Sequence, residues 1–156
     1  MLRSNNAHST LQFTGYDVSI MSFSIKLLSN ELKEDEKVNY SPKFERSIIK
    51  IDENRYDLRL SVKVGDGKSR LPFSASVGLI GHFELREITN PDEVMRLNAT
   101  AILFPYLRAT LGQLTTLANI STLTLPTFNI VEMFKDKEQQ QDRKSKVRLP
   151  EKEQDT

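Results

Sequence analysis

The segment NATAILFPYLRATLGQLTTLANISTLTLPTFNIVEMF, residues 98–134, decides how the second half of this chain folds. Its leucines recur every four or three residues from Leu103 to Leu117, which is the spacing of a helix with one apolar side. The pattern predicts a long helix over residues 100–119, an apolar loop up to Phe128 and a short last helix that ends near Phe134. Nothing in the segment pairs a nucleophile with a base, so we expect a role in contact rather than in catalysis.

A helix start precedes this segment. Asn90 and Pro91 are followed by two acidic residues, which is typical of a helix N-terminus. We expect a short helix here that ends near Asn98. Pro105 lies inside the long helical pattern and should kink that helix or lie near its beginning.

The first half of the chain alternates apolar and polar residues with the period of β-strands. Four strands are predicted, over residues 12–28, 43–52, 56–64 and 71–88. The alternation of the first strand changes phase at Met21 and Ser22, which predicts a bulge there. Gly78 and Gly81 predict a bulge or a close approach in the fourth strand. The expected fold class is α+β, with a four-stranded antiparallel meander sheet followed by a long helix and a short C-terminal helix.

Composition indicates one folded domain. The 156 residues are 38% hydrophobic and 28% charged, which suits a single globular core. We expect a disordered polar lead over residues 1–11, the domain over residues 12–135 and a polar tail over residues 136–156. Helices can cover only one face of such a sheet, and the helix has more apolar positions than one face uses, so homo-oligomerisation is expected.

Several function classes are excluded by composition. The net charge of +1 offers no field that would attract nucleic acid or an anionic membrane. The absence of Cys excludes disulfides, thiolate nucleophiles and zinc–thiolate sites. The sequence shows neither an apolar run of about 20 residues nor the apolar core of a secretory signal, so no membrane insertion and a cytoplasmic location are expected.

No catalytic, metal or cofactor site is predicted. His8 and His82 stand far apart and lack the neighbours of a metal site or a histidine-based triad. The segment GDGKS at residues 65–69 lacks the spacing of a phosphate loop and is better explained as a hairpin turn. The chain is therefore not expected to be an enzyme.

The run ILFPYLR at residues 102–108, followed after a helix-length gap by LTLPTFNI at residues 123–130, resembles the SecB family of export chaperones. In that family an ILFPY-type helix leads through a Leu/Pro loop into a short C-terminal helix. The resemblance extends over about residues 12–135. It implies a homotetramer, a dimer of dimers, whose interface would involve Leu103, Phe104, Tyr106, Leu107 and Leu111.

The resemblance also implies the function of an ATP-independent holdase. Such a chaperone binds unfolded or extended polypeptides, here a preprotein in export or an antitoxin, in an apolar groove. The segment YSPKF at residues 40–44 resembles the start of the second strand in SecB, and residues 123–128 resemble the loop beside the groove. The expected client contacts are Tyr40, Phe44, Ile48, Leu123, Leu125 and Phe128. Each could instead belong to an ordinary core, and the alternative function is a SecB-fold module for one folded partner.

The partner of the chaperone is expected to differ from that of SecB. SecB docks the motor SecA through an acidic sheet face and its C-terminal tail. The equivalents on that face, Ile20, Ser24, Ser74 and Ser76, carry no charge, and residues 135–156 hold seven Lys/Arg against six Asp/Glu. Without those carboxylates, charge-assisted contacts to a basic partner are missing. SecA is therefore not the expected partner.

Overall fold

The computed structural model describes residues 10–26, 42–65 and 73–118, together with residue 134. Within these ranges the chain forms a four-stranded antiparallel sheet and then a long helix. The strands are β1 (Thr10–Ile25), β2 (Lys43–Lys50), β3 (Arg55–Val64) and β4 (Phe73–Arg86), in the order β1-β4-β3-β2. The predicted α+β class is confirmed. The predicted ends of the strands lie within two residues of the observed ones wherever the structure describes both, and residues 27, 28, 71 and 72 lie outside the described ranges.

The order of the strands differs from the predicted meander at one strand. β2, β3 and β4 do follow one another across the sheet, but β1 pairs with β4 instead of β2. The meander prediction is therefore wrong for β1. The reason is the length of the link between β1 and β2, which imposes no tight hairpin and lets the chain reach the other edge of the sheet.

Strand β1 contains bulges, but not at the predicted place. Its register to β4 shifts between Phe13 and Gly15 and again between Val18 and Ile20. Gly15 has a φ of 145°, a conformation that a residue with a side chain rarely adopts. The prediction of a bulge at Met21 and Ser22 is wrong. It assumed that the apolar Ile20 points to the same face of the sheet as Val18, but Ile20 pairs with Gly78 and points to the opposite face, so the shift of register comes before Ile20.

The turn between β2 and β3 is organised by the Asp52 carboxylate. Its Oδ1 accepts hydrogen bonds from the backbone N–H groups of Asn54 (3.0 Å) and Arg55 (2.8 Å), and its Oδ2 accepts one from Arg55 Nε (2.5 Å). These bonds, with that of the Arg55 side chain first, hold the pKa of Asp52 below its usual value. The turn therefore fixes the pairing of the first hairpin.

The helical part runs without a break from Pro91 to Leu117. It consists of α1 (Pro91–Val94), a π-helical turn (Met95–Ala99) and α2 (Thr100–Leu117). The prediction that a separate short helix ends near Asn98 is wrong. The π-helical turn carries the chain onward, and Arg46 of β2 donates a hydrogen bond to the Arg96 carbonyl oxygen inside it, at 2.7 Å. Pro91 takes the first helical position as predicted, and Pro105 lies within α2.

One face of the sheet, called here the helix face, packs against α2 and forms the core. Gly81 lies on this face beneath Leu103, as the close approach predicted for β4 requires. The opposite side, called the outer face, consists mainly of half-buried and exposed residues. The buried core consists of alternate residues of β3 and β4 and one side of the helix, chiefly Tyr56, Leu58, Leu60, Val62, Phe73, Val77, Leu79, Phe83, Met95, Leu103, Leu107 and Leu111.

The chain divides into two compact units, residues 1–125 and residues 126–156. All strands and helices given above belong to the first unit. Of the second unit the structure describes Phe134 alone, in a helical conformation. The apolar loop, the tail, residues 1–9 of the predicted lead and all of the predicted short C-terminal helix except Phe134 fall outside the described residues, whereas Thr10 and Leu11 of the predicted lead belong to β1.

Candidate functional site

An apolar strip runs along β1 on the helix face of the sheet. Tyr16, Val18, Met21 and Ile25 lie opposite Gly81, Leu79, Val77 and Phe73 of β4, all of which are buried under the helix. Residues that face each other across an antiparallel ladder share one side of the sheet. However, α2 lies mainly over β3 and β4. These β1 residues therefore keep 38% (Tyr16), 46% (Val18), 53% (Met21) and 55% (Ile25) of their surface exposed.

Tyr106 of α2 extends this strip. Its ring centroid lies 5.0 Å from that of Tyr16 and 5.4 Å from that of Phe13, and 41% of the residue is exposed. These are ordinary distances for aromatic pairs that pack at an angle. Tyr106 thus joins the helix to the β1 side chains in one surface, which we call the apolar strip: Tyr16, Val18, Met21, Ile25 and Tyr106.

The two edges of the sheet differ in charge. β1 forms one edge and has a single charged side chain, Asp17, in sixteen residues. β2 forms the other edge, and half of its eight residues are charged: Lys43, Glu45, Arg46 and Lys50. Charged residues on an edge strand normally discourage pairing with another chain. The β1 edge lacks this protection and is therefore the edge suited to receive a polypeptide.

The predicted client contacts are only partly described. Phe44 is 3% exposed and packs against Phe104, with ring centroids 5.9 Å apart. It belongs to the core and offers no surface to a client in this conformation. Ile48 is half-buried on the same strand. The other predicted contacts, Tyr40, Leu123, Leu125 and Phe128, lie outside the described residues.

Most of the predicted interface residues belong to the core of the single chain. Leu103, Phe104, Leu107 and Leu111 are buried. Their apolar spacing is explained by the sheet beneath them, so they have no surface left for a second copy. Tyr106 alone among the predicted interface residues is exposed.

Ile20, Ser24, Ser74 and Ser76, which the resemblance leads us to expect at the position of the acidic docking face of SecB, do share the outer face. Ser24 lies opposite Ser74, Ser22 opposite Ser76, and Ile20 opposite Gly78. This part of the outer face therefore presents hydroxyls and one isoleucine side chain rather than carboxylates.

His82 forms a charged network that the sequence analysis missed. Its Nδ1 lies 2.8 Å from Asp57 Oδ1, and its Nε2 lies 2.8 Å from Asp17 Oδ2. The hydrogen bonds to Asp57 and then to Asp17 raise the pKa of His82 above its ordinary value, although partial burial opposes them. The three residues are distant in sequence. Their only signal was the cross-strand register, which pairs Asp57 directly with His82.

The described residues contain no other arrangement with evident chemistry. Within them, no group of three His, Cys, Asp or Glu side chains is placed to hold a metal ion. No described helix combines the length and apolarity that crossing a bilayer requires. His8 lies outside the described ranges.

Comparison with known proteins identifies the family. A family model described as preprotein translocase subunit SecB matches residues 5–141. An uncharacterised protein of Methanocaldococcus jannaschii is 30% identical over 130 residues, which cover 80% of this chain and 82% of that protein. The protein-export protein SecB of Saccharophagus degradans is 30% identical over 91 residues, which cover 56% of this chain and about half, 54%, of that protein.

A solved structure has the same fold. The SecB-like chaperone of Mycobacterium tuberculosis, in complex with a ChAD peptide from the HigA1 antitoxin, superposes with a TM-score of 0.61 at 16% identity. The alignment covers 76% of this chain and 90% of that one. Because the family match extends over most of the sequence and the sheet and long helix agree with a SecB-like structure, this chain belongs to the SecB family.

Proposed function

We propose that the protein is an ATP-independent holdase, a cytoplasmic chaperone that binds unfolded or extended polypeptides without a cofactor and without catalysis. The observation that carries the proposal is the match of residues 5–141 to the SecB family model, together with the same fold in a SecB-like chaperone that was solved with a bound peptide. The apolar strip on β1 adds a surface for assembly. Its uncharged strand edge offers backbone N–H and C=O groups, and its alternate side chains offer apolar contact, to a second copy of the chain. An exposed apolar surface of this kind indicates a site for another protein.

Membership of the SecB family and the peptide complex of the M. tuberculosis chaperone both support this function. That chaperone was solved with a segment of an antitoxin, so the same fold can accept a polypeptide segment. We propose that the clients are preproteins or an antitoxin. SecA is not proposed as a partner, because Ser24, Ser74 and Ser76 leave that part of the outer face without charge.

We divide the contact surface into two parts. The apolar strip is proposed to meet a second copy of the chain, in a homotetramer built as a dimer of dimers. Client binding is assigned to Tyr40, Ile48, Leu123, Leu125 and Phe128. Phe44 is removed from that group because it is buried against Phe104.

An aggregation assay tests the client groove. The oligomer should suppress the aggregation of a chemically unfolded protein at substoichiometric amounts, and the double variant Leu123→Asp, Leu125→Asp should lose this activity. The matched control is Thr122→Asp, Thr124→Asp, which puts the same charges on the interleaved positions of the same segment. Far-ultraviolet circular dichroism checks that both variants fold. Equal suppression by the wild type and the leucine variant would remove the groove assignment.

The burial of Phe44 favours one alternative, a SecB-fold module that binds a single folded partner, because it takes away one of the expected client contacts. Isothermal titration separates the two functions. A holdase binds several unrelated polypeptides that are kept unfolded, such as reduced and alkylated proteins. A module for one folded partner binds none of them.

A further inference from the structure

The outer face of the sheet carries a bridge that joins three strands through His82. The histidine lies on β4, its partner Asp57 is directly opposite on β3, and its partner Asp17 is on the edge strand β1. The local backbone makes room for this bridge. Gly15 lies opposite His82 and has no side chain, and Thr14 Oγ1 donates a hydrogen bond to the His82 carbonyl oxygen at 3.2 Å.

The bridge is complete only when the imidazole is protonated. A carboxylate accepts hydrogen bonds and donates none, whereas a neutral imidazole has one N–H and one lone pair. With both ring nitrogens 2.8 Å from carboxylate oxygens, a neutral ring would point its lone pair at one of the two acids. The imidazolium donates to both, and both bonds are then charge-assisted.

Loss of the proton should release Asp17 rather than Asp57. The Asp17 side chain is 77% exposed and can turn to water, whereas the Asp57 side chain is 24% exposed. Asp17 also lies on the part of β1 between the register shifts at Thr14 and Ser19, where the ladder to β4 is interrupted on both sides. A side-chain tether therefore matters more here than in the middle of a regular strand.

Neighbouring charges affect the balance between the protonated and the neutral imidazole of His82. The helices lie on the other side of the sheet, and β2 presents the apolar Ile49 next to Asp57. The titratable and charged groups that face His82 therefore come from the other three strands: Asp57, Arg55 and Arg59 from β3, Asp17 from β1, and Glu84 from β4 itself. Arg55 bonds to Asp52, and Glu84 bonds to Arg86. Of the remaining charges, the two aspartates favour the imidazolium and Arg59 opposes it.

We propose that Asp17, His82 and Asp57 form a proton-dependent clamp that holds the edge strand β1 on the sheet. The clamp is closed when His82 carries a proton and opens on its Asp17 side when the proton leaves. Because the pKa of His82 is raised in the folded state, the clamp stabilises the protein at low pH rather than at high pH. The stabilisation is fully present below about pH 6.5, the ordinary pKa of histidine, and is lost as the pH rises through the higher pKa of the folded state. The inference concerns the outer face and stands without the proposed function.

Hydrogen exchange of the β1 amides tests the clamp. Protection factors, corrected for the intrinsic effect of pH, are measured on the full chain from pH 5.5 to 8.5. In the wild type we expect protection of Gly15–Val18 to fall by about fivefold over this range, the factor that corresponds to one hydrogen bond of ordinary net strength. A ¹⁵N titration of the imidazole should give the same midpoint. Two protein concentrations separate this change from one caused by association through β1.

Two variants and a control decide the outcome. His82→Gln and Asp17→Asn should each lose the pH-dependent step in β1, since neither leaves an imidazolium that bridges two carboxylates. Asp92→Asn removes an exposed acid at the start of α1 and should keep the step. If His82→Gln does not fold, Asp17→Asn decides alone. A step that persists in Asp17→Asn, or β1 protection that does not change with pH in the wild type, overturns the clamp.

Discussion

Gly81 of β4 lies so close beneath Leu103 of α2 that a methyl group has no room between them. A Cβ on Gly81 would lie 3.0 Å from Leu103 Cδ2 and 2.9 Å from the Phe83 ring. Gly81→Ala should therefore destabilise the fold by about 1–3 kcal/mol, because either the helix must move or the Phe83 ring and the Leu103 side chain must leave their rotamers. Urea unfolding measures the change. Ser76→Ala, on the outer face of the same strand, should stay within about 0.5 kcal/mol, and equal midpoints for the two variants would contradict this packing.

The adjacent residues Tyr106 and Leu107 separate surface from core on α2. Leu107 is fully buried, so Leu107→Ala should cost about 2–5 kcal/mol of unfolding free energy. Tyr106 is exposed and touches Phe13 and Tyr16. Tyr106→Ala should cost less, about 0.5–1.5 kcal/mol for each aromatic contact, and should weaken self-association. Thermal unfolding measures the change in stability, and sedimentation velocity measures the change in self-association. A larger loss of stability for Tyr106→Ala than for Leu107→Ala would contradict the placement of Leu107 in the core and of Tyr106 at the surface.

Met21 and Ser22 provide a matched pair for the apolar strip, since they are neighbours on β1 and point to opposite faces. Both are exposed, so a charge at either position leaves the core intact. Met21→Lys should prevent association through the strip, because an ammonium group in an apolar contact loses its water. Ser22→Lys should leave association nearly unchanged. Sedimentation equilibrium provides the mass, and the same oligomer in both variants would exclude the strip as an interface.

Arg46 links β2 to the π-helical turn. Its guanidinium donates to the Arg96 carbonyl oxygen at 2.7 Å and to Thr100 Oγ1 at 3.2 Å. Arg46→Met keeps the apolar stem of the side chain and removes these bonds, so we expect a loss of about 1–2 kcal/mol. Arg59→Met, on the exposed outer face of β3, is the control. Amide exchange in residues 95–99 should accelerate in Arg46→Met alone, and unchanged exchange there would mean that the turn holds without Arg46.

The sequence was most informative where local pattern determines structure. Tyr56, Leu58, Leu60 and Val62 alternate without exception, and β3 lies where they predict it. The strand order was harder to predict. The link between β1 and β2 is long, so the sequence does not show whether the two strands are neighbours or lie at opposite edges of the sheet. The bulges of β1 were misplaced for a related reason. Ile20 is apolar but faces solvent, so its residue type did not indicate which face of the sheet it occupies.

The site was harder to predict than the fold because its features depend on tertiary contacts. The family resemblance implies an oligomer interface on α2, but an apolar helix stripe does not reveal whether it meets its own sheet or a second copy. Phe44 was assigned to a client groove, and its neighbour Phe104, distant in sequence, shows it to be core. His82 was set aside as an isolated histidine. Its acidic partners Asp17 and Asp57 reach it only through the register of three strands.

The unequal charge of the two sheet edges limits how far an assembly can grow. In the proposed dimer, in which two copies would join through β1, the free edges of the combined sheet would both be β2. Lys43, Glu45 and Lys50 on those edges discourage the addition of another strand. The contact is then of the closed, two-fold kind, in which each copy uses the same surface. A chain built in this way can pair its uncharged edge with one copy of itself and still avoid templating an endless fibre.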